Sequence, residues 1–250
     1  MNLAEFHLER APIVEAIIAF TIEPILSDEL MNAVQTAGES IREDYPQSEP
    51  LRQLQLQLGF GPGMSPINQS TQRDVGWKLV SSDKRQLVVF QRNGFSFSRL
   101  PPYLQWSSFR DEARRLWEVY RGATGNVQIV RFGLRYINRV NIPIGKPIED
   151  YLRLYPELPG TKDGSRRTLH SSYLRADSML TEIPDGYLII QQATLPSESL
   201  DVATLSLDFD ISVTKHVTEE YVWETLEVAR DVKNQLFRDS LQPEFLETFR

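Results

Sequence analysis

The chain lacks cysteine, has only three histidines and contains no long apolar run among its 250 residues. Without cysteine there are no disulfides, no thiolate catalysis and no cysteine-ligated zinc or iron–sulfur sites. His7, His170 and His216 are too scattered in the sequence to form a recognisable metal-binding motif. No stretch reaches about 18 apolar residues, and the start has no basic, apolar leader. We therefore expect a cytoplasmic protein with no membrane partner, no metal and no cofactor.

The net charge of −7 is unevenly distributed along the chain. Residues 73–139 contain 13 Lys and Arg against five Asp and Glu, whereas residues 1–72 contain three against ten and residues 140–250 contain 11 against 19. Such a basic middle indicates either an anion-binding surface or strands that neutralise the acidic outer elements after folding. A pI near 5.1 opposes general affinity for phosphate backbones, so nucleic acid is the less favoured partner.

The hydrophobic periodicity predicts an α+β fold. Residues 12–121 and residues 127–240 both run strand, helix, several antiparallel strands and long helix. The strands alternate apolar and polar residues, as expected when only one face of a sheet is covered. We expect a curved antiparallel sheet with helices on one face, in which residues 1–125 and 126–250 form pseudo-repeated halves of one joined domain. This arrangement resembles the TATA-binding-protein-like architecture, and the second half alone resembles a helix-grip domain.

Local sequence signals predict individual secondary-structure elements. Asn93-Gly94 predicts a β-hairpin, and the glycine- and proline-rich residues 59–70 predict a loop. In the second half, residues 148–155 are expected to form a short helix and residues 168–183 a strand.

The most specific stretch is residues 130–140, which reads Val-Arg-Phe-Gly-Leu-Arg-Tyr-Ile-Asn-Arg-Val. Strict alternation places Arg131, Arg135 and Arg139 on one face of a strand and apolar side chains on the other. A guanidinium is always charged and is seldom buried alone, so these groups either pair with carboxylates or bind an anion. The candidate ligand-binding residues are Arg131, Arg135, Arg139, Arg99, Arg166 and Arg167.

Carboxylates are the expected internal partners of these arginines. If the arginine strand lies beside the last strand, Asp208 and Asp210 share its polar face, and Glu15 projects from the equivalent strand of the first half. Cross-strand pairs of this kind contribute roughly 0.2 to 1 kcal/mol each. The same three carboxylates also permit a divalent metal, so a metal-dependent hydrolase or nuclease stays open as an alternative.

Three motifs carry a resemblance to a known family. Residues 12–16 (Pro-Ile-Val-Glu-Ala), residues 98–103 and residues 131–139 resemble a sporadically distributed bacterial family of uncharacterised proteins of about this length. The resemblance implies no catalytic residue. It implies a histidine in the last long helix, where this chain has Lys233 and Asn234. By analogy, the family's sporadic distribution is compatible with a role in mobile genetic elements or defence.

We expect a non-enzymatic binding or regulatory protein. Its partner is a protein, a nucleic acid or an anionic small molecule, engaged through an open sheet face or through a cavity between sheet and helices. A further alternative to the metal-dependent enzyme is a helix-grip carrier of an apolar ligand, which requires an internal cavity of roughly a few hundred Å³.

Overall fold

The computed structural model describes residues 6, 8–23, 28–59, 67–125, 127–156, 158–160, 170–197 and 199–250. Within these ranges the chain forms nine strands, four α-helices and one 3-10 turn over Ile148–Asp150. The strands are β1 (Ile13–Ile22), β2 (Gln47–Gly59), β3 (Ile67–Val80), β4 (Gln86–Gln91), β5 (Gly94–Arg99), β6 (Ile129–Pro143), β7 (Tyr173–Met179), β8 (Gly186–Leu195) and β9 (Val202–Val217). The helices are α1 (Asp28–Ser40), α2 (Trp106–Thr124), α3 (Glu219–Ser240) and α4 (Pro243–Glu247).

All nine strands belong to one antiparallel sheet with the order β2-β3-β4-β5-β1-β6-β9-β8-β7. The first strands of the two predicted halves, β1 and β6, pair at its centre. The halves therefore share one continuous sheet, and the α+β prediction is confirmed. The second half has only the 3-10 turn between its first two strands, where the first half has α1. The pseudo-repeat itself stays a prediction.

The helices cover one face of the central strands because those strands alternate their apolar residues toward them. Ala16, Ile18 and Phe20 of β1 are almost fully buried. The Phe20 ring makes edge-on contacts with Trp117 of α2 at 5.0 Å and with Trp223 of α3 at 5.4 Å between ring centroids. Burial of a large apolar side chain such as Ile18 or Phe20 contributes about 1.5 to 3 kcal/mol, so this layer contributes strongly to stability. None of the helices in the described part of the chain is long and apolar enough to cross a bilayer.

The predicted hairpin forms, although Gly94 lies in β5 and not in the turn. β4 ends at Gln91 and β5 begins at Gly94, so Arg92 and Asn93 form the two-residue turn. A side chain at Gly94 would place its Cβ 2.3 Å from the carbonyl oxygen of Phe20 on β1. The glycine is therefore required by the close approach of the neighbouring strand.

The helix predicted over residues 148–155 is wrong beyond its first turn. The backbone N–H of Arg153 donates to the carbonyl of Ser240, and the carbonyl of Tyr151 accepts from Gln242. These bonds join the segment to the chain after α3, so its backbone groups are satisfied by a distant partner instead of by a local helix.

Two other expected boundaries differ from the structure. The loop predicted over residues 59–70 is wrong at both ends, because β2 includes Gly59 and β3 begins at Ile67, and residues 60–66 lie outside the described ranges. Of the strand predicted over residues 168–183, the described part (170–183) is a strand only at Tyr173–Met179, and residues 168–169 lie outside the described ranges.

Candidate functional site

The arginine strand lies beside the last strand, which is the condition under which Asp208 and Asp210 were expected to share its polar face. β6 pairs with β9 so that Arg135 is opposite Asp210 and Ile137 is opposite Asp208. Both aspartates therefore share the helix-free face of the sheet with the arginines.

Arg135 is engaged by Asp208. Its Nε donates to the two carboxylate oxygens at 2.9 and 3.1 Å, and its Nη2 donates to Oδ2. The Asp208 side chain is only 9% exposed, whereas that of Arg135 is 38% exposed. The hydrogen bonds to Asp208 raise the pKa of Arg135, and burial raises the pKa of Asp210 against the opposing fields of Arg131 and Arg135. The centre of the arginine strand is therefore largely neutralised.

The other arginines are in different environments. Arg139 is exposed and forms no ion pair with the described residues. Arg99 lies opposite Ala16, which places it on the helix-covered face and away from Arg131. Arg166 and Arg167 lie outside the described residues.

Two other sequence-based hypotheses gain little from the structure. In the described ranges no group of three or more His, Asp and Glu side chains is arranged to hold a metal ion, so Glu15, Asp208 and Asp210 do not form such a group. Nucleic-acid binding by base stacking finds no support at Phe97 and Tyr136, two aromatic residues near the arginines, because both are at most 1% exposed and belong to the core.

A cavity of about 240 Å³ lies on the helix-covered side of the sheet. Its walls come from the N-terminal segment, the start of α2, the second half of α3 and β6. Phe6, Trp106 and Phe237 supply aromatic surface, and Asn138 of β6 supplies a buried amide. The nitrogen of that amide donates to the carbonyl of Leu207 at 3.0 Å, which fixes the orientation of its side chain.

Lys233 is the most unusual residue of this cavity. It is only 8% exposed, and none of the described residues forms a hydrogen bond or ion pair with its ammonium group. Its nitrogen lies 3.9 Å from the centroid of the Tyr136 ring. Burial, aided by the positive charge of Arg230, lowers the pKa of Lys233 to about 7. A buried lysine without a carboxylate partner is rare, because desolvation of the charge costs several kcal/mol.

The charges around the cavity are mostly positive. Of the described residues that line it, Arg230, Lys233 and Arg238 are basic and Asp231 is acidic. Asp231 is already held by Arg230, with an Nη2 to Oδ1 distance of 2.7 Å. The Nε of Arg238 is buried and has no hydrogen-bond partner among the described residues. The cavity therefore has an excess of hydrogen-bond donors and positive charge.

Rigid contacts hold the walls in place. The Tyr103 and Tyr136 hydroxyls are hydrogen-bonded at 2.8 Å, and burial raises the pKa of Tyr103 to about 12. The indole nitrogen of Trp106 donates to Glu227 at 2.8 Å, which joins the start of α2 to α3. Both tyrosines stay protonated at neutral pH and serve as neutral hydrogen-bonding groups.

A second cavity of about 190 Å³ adjoins the first. The two cavities share Tyr103, Leu104 and Gln105, which precede α2. Arg99 and Glu112 line the second one, so the structure places this candidate arginine near the Lys233 cavity instead of beside the arginine strand.

Lys233 is not among the site residues predicted from the sequence, although the sequence contains a signal for it. Lys233 lies on the buried face of α3 with Leu226, Ala229 and Phe237, at helical spacings of three and four residues. A lysine within an otherwise apolar stripe indicates either a long side chain that reaches solvent or a buried charge with a function.

No protein-family model, curated protein or solved structure matches the chain. The family resemblance of the three motifs therefore stays a prediction.

Proposed function

We propose that this protein is a non-enzymatic binding protein that holds a small organic anion in the Lys233 cavity. The observation that carries the proposal is the buried side chain of Lys233, which lines the cavity and forms no hydrogen bond or ion pair with the described residues. An isolated buried charge is costly, and an anion bound beside it would offset that cost.

The lining residues and the volume of the cavity indicate which kind of anion it would bind. Aromatic side chains form part of the cavity wall, so an apolar or aromatic body is favoured next to the negative group. A volume of about 240 Å³ is below the roughly 300 to 1,000 Å³ of typical ligand pockets, which favours a compact molecule. A small aromatic or aliphatic carboxylate meets both requirements. The proposal therefore differs from the carrier of an apolar ligand that was considered from the sequence, because the ligand proposed here has an apolar body and a negative group.

The test compares carboxylates with their neutral amides. Benzoate, phenylacetate and hexanoate should raise the melting temperature of the protein, because a ligand that binds only the folded state stabilises it. Benzamide, which keeps the ring and loses the charge, should have a much smaller effect. Lys233→Met should abolish the carboxylate response, whereas Lys146→Met at an exposed position should preserve it. If none of the carboxylates shifts the melting temperature, or if Lys233→Met responds like the wild type, the proposal is wrong.

The open sheet face supports a second candidate site for an anionic or protein partner. Arg139 is exposed there, and the side chain of Arg135 is still 38% accessible beside Asp208. Arg139→Gln should weaken binding of such a partner without affecting the response to benzoate. The metal-dependent hydrolase has less support, because Arg135 already occupies the Asp208 carboxylate. Stabilisation by magnesium or manganese that is lost in Asp208→Asn would favour it.

A further inference from the structure

We propose that two copies of the chain associate through β7, the strand at one edge of the sheet, and form one continuous sheet across a two-fold axis at Ala176. In the described part of the chain, β7 pairs only with β8, so its outer side has unpaired backbone donors and acceptors. Exposed edges of this kind are templates for pairing with another strand. This inference goes beyond the proposed function, because the Lys233 cavity lies on the helix-covered face of the sheet and no residue of β7 lines it.

The backbone of β7 presents the correct groups at its outer side. The N–H of Leu180 donates to the carbonyl of Gly186, and the carbonyl of Ser172 accepts from Thr194. Even-numbered residues therefore direct their backbone groups toward β8. Because the direction alternates along a strand, odd-numbered residues direct theirs outward. These outward residues are Tyr173, Arg175, Asp177 and Met179.

A two-fold axis at Ala176 makes these residues complementary to themselves. Arg175 then lies opposite Asp177 of the partner subunit, and Tyr173 lies opposite Met179 of the partner subunit. Each is a hydrogen-bonded pair of an antiparallel ladder, in which the two residues exchange both backbone bonds. Opposite charges and aromatic–sulfur contacts directly across a ladder are favourable.

Neighbouring registers are disfavoured. A shift by two residues in one direction brings Arg175 opposite Arg175 of the partner subunit, and a shift in the other direction brings Asp177 opposite Asp177 of the partner subunit. Like charges directly opposite each other destabilise a ladder. The register centred on Ala176 is therefore selected by charge as well as by backbone direction.

The exposed side chains of β7 are also suited to burial against a second copy of the chain. Tyr173 and Met179 are each 62% exposed, which is unusually high for large apolar side chains. Arg175 and Asp177 are already paired within β7, with an Nε to Oδ1 distance of 2.8 Å. In the dimer, the Arg175–Asp177 pairs of the two subunits would lie side by side and form a ring of four alternating charges.

Charge exchange tests the register. Light scattering after size-exclusion chromatography should detect a wild-type dimer that dissociates on dilution. Arg175→Asp and Asp177→Arg should each be monomeric, because like charges then face each other across the axis. An equimolar mixture of the two variants should form a heterodimer, since both aspartates of the first variant would then face both arginines of the second.

Controls separate association from folding. Lys146→Asp makes the same charge change as Arg175→Asp at an exposed site away from β7 and should stay dimeric. Circular dichroism should show that both β7 variants are folded. The proposal is overturned if the wild type is monomeric at the highest attainable concentration, if either single variant remains dimeric, or if the mixture contains only monomers. Benzoate binding by the β7 variants tests the proposed function separately. If these variants bind benzoate, a failure of the dimer proposal leaves the proposed function intact.

Discussion

The ammonium nitrogen of Lys233 lies 3.9 Å from the centroid of the Tyr136 ring, and the hydroxyl of that tyrosine is hydrogen-bonded to Tyr103. The ring face attracts the cation by about 0.5 to 2 kcal/mol. Burial acts in the opposite direction and is the larger effect, since the pKa of Lys233 falls to about 7. The fold therefore holds this cation at a net cost, and strongly perturbed groups of this kind concentrate at functional sites.

Replacing Lys233 by Met should stabilise the protein most at low pH. The pKa of Lys233 is about 7 in the folded state and 10.5 for an ordinary lysine, so the unfolded chain binds more protons between these values. Wild-type stability rises with pH across this window, and the full penalty is present below pH 7. The gain in the free energy of unfolding should be on the order of a few kcal/mol at pH 6 and should shrink toward pH 10. Urea denaturation measures it, and an equal gain at both pH values would contradict the prediction.

The affinity for benzoate should fall as the pH rises above 7. Benzoate stays ionised throughout this range, so a change in affinity reports the protein group. The anion binds the ammonium form of Lys233, whose pKa in the free protein is about 7. Affinity should therefore be constant below this value and fall roughly tenfold per pH unit above it, until the pKa of the complex is reached. Titration calorimetry at pH 6, 7 and 8 measures it. A flat profile would show that Lys233 is not the anion's partner.

Removing one hydroxyl of the Tyr103–Tyr136 pair should have an asymmetric effect. Tyr136 is fully buried and Tyr103 is partly exposed. Tyr103→Phe leaves the buried hydroxyl of Tyr136 without its partner and should cost about 1 to 3 kcal/mol. Tyr136→Phe should cost less, because the hydroxyl of Tyr103 can turn toward solvent. The double substitution should cost less than the sum of the two changes. Additive costs in chemical denaturation would argue against the pair.

The two partners of the Arg135–Asp208 pair should differ in how much stability is lost when each is replaced, because one is exposed and the other is buried. Arg135→Gln leaves a carboxylate with 9% side-chain exposure without its counterion, whereas Asp208→Asn leaves a guanidinium with 38% exposure that water can still solvate. We expect Arg135→Gln to be the more destabilising change, by about 1 to 3 kcal/mol. Denaturation of both variants measures this difference. If Arg135→Gln weakens partner binding without loss of stability, the arginine strand is a binding surface and its ion pair is secondary.

Much of the architecture could be predicted because local patterns and burial agree. The alternation in residues 130–140 correctly separates Arg131 and Arg135 from the buried Phe132 and Leu134, and the apolar spacing in α2 matches its buried face. The position of Asp208 on the arginine face also followed from alternation, given that β6 and β9 are neighbours. Period-two and period-3.6 patterns record which face of an element is covered, so one covered sheet face can be recognised from the sequence.

Tertiary structure decided which distant segments meet. The helix expected after residue 147 is replaced, beyond its first turn, by backbone bonds to residues 240–242. The Lys233 cavity is assembled from four segments that are remote along the chain. The sequence by itself determined the faces of the strands and helices, because that information is local and periodic. Only the tertiary structure placed a buried ammonium beside an aromatic-walled cavity, because the cost of desolvating a charge depends on everything packed around it.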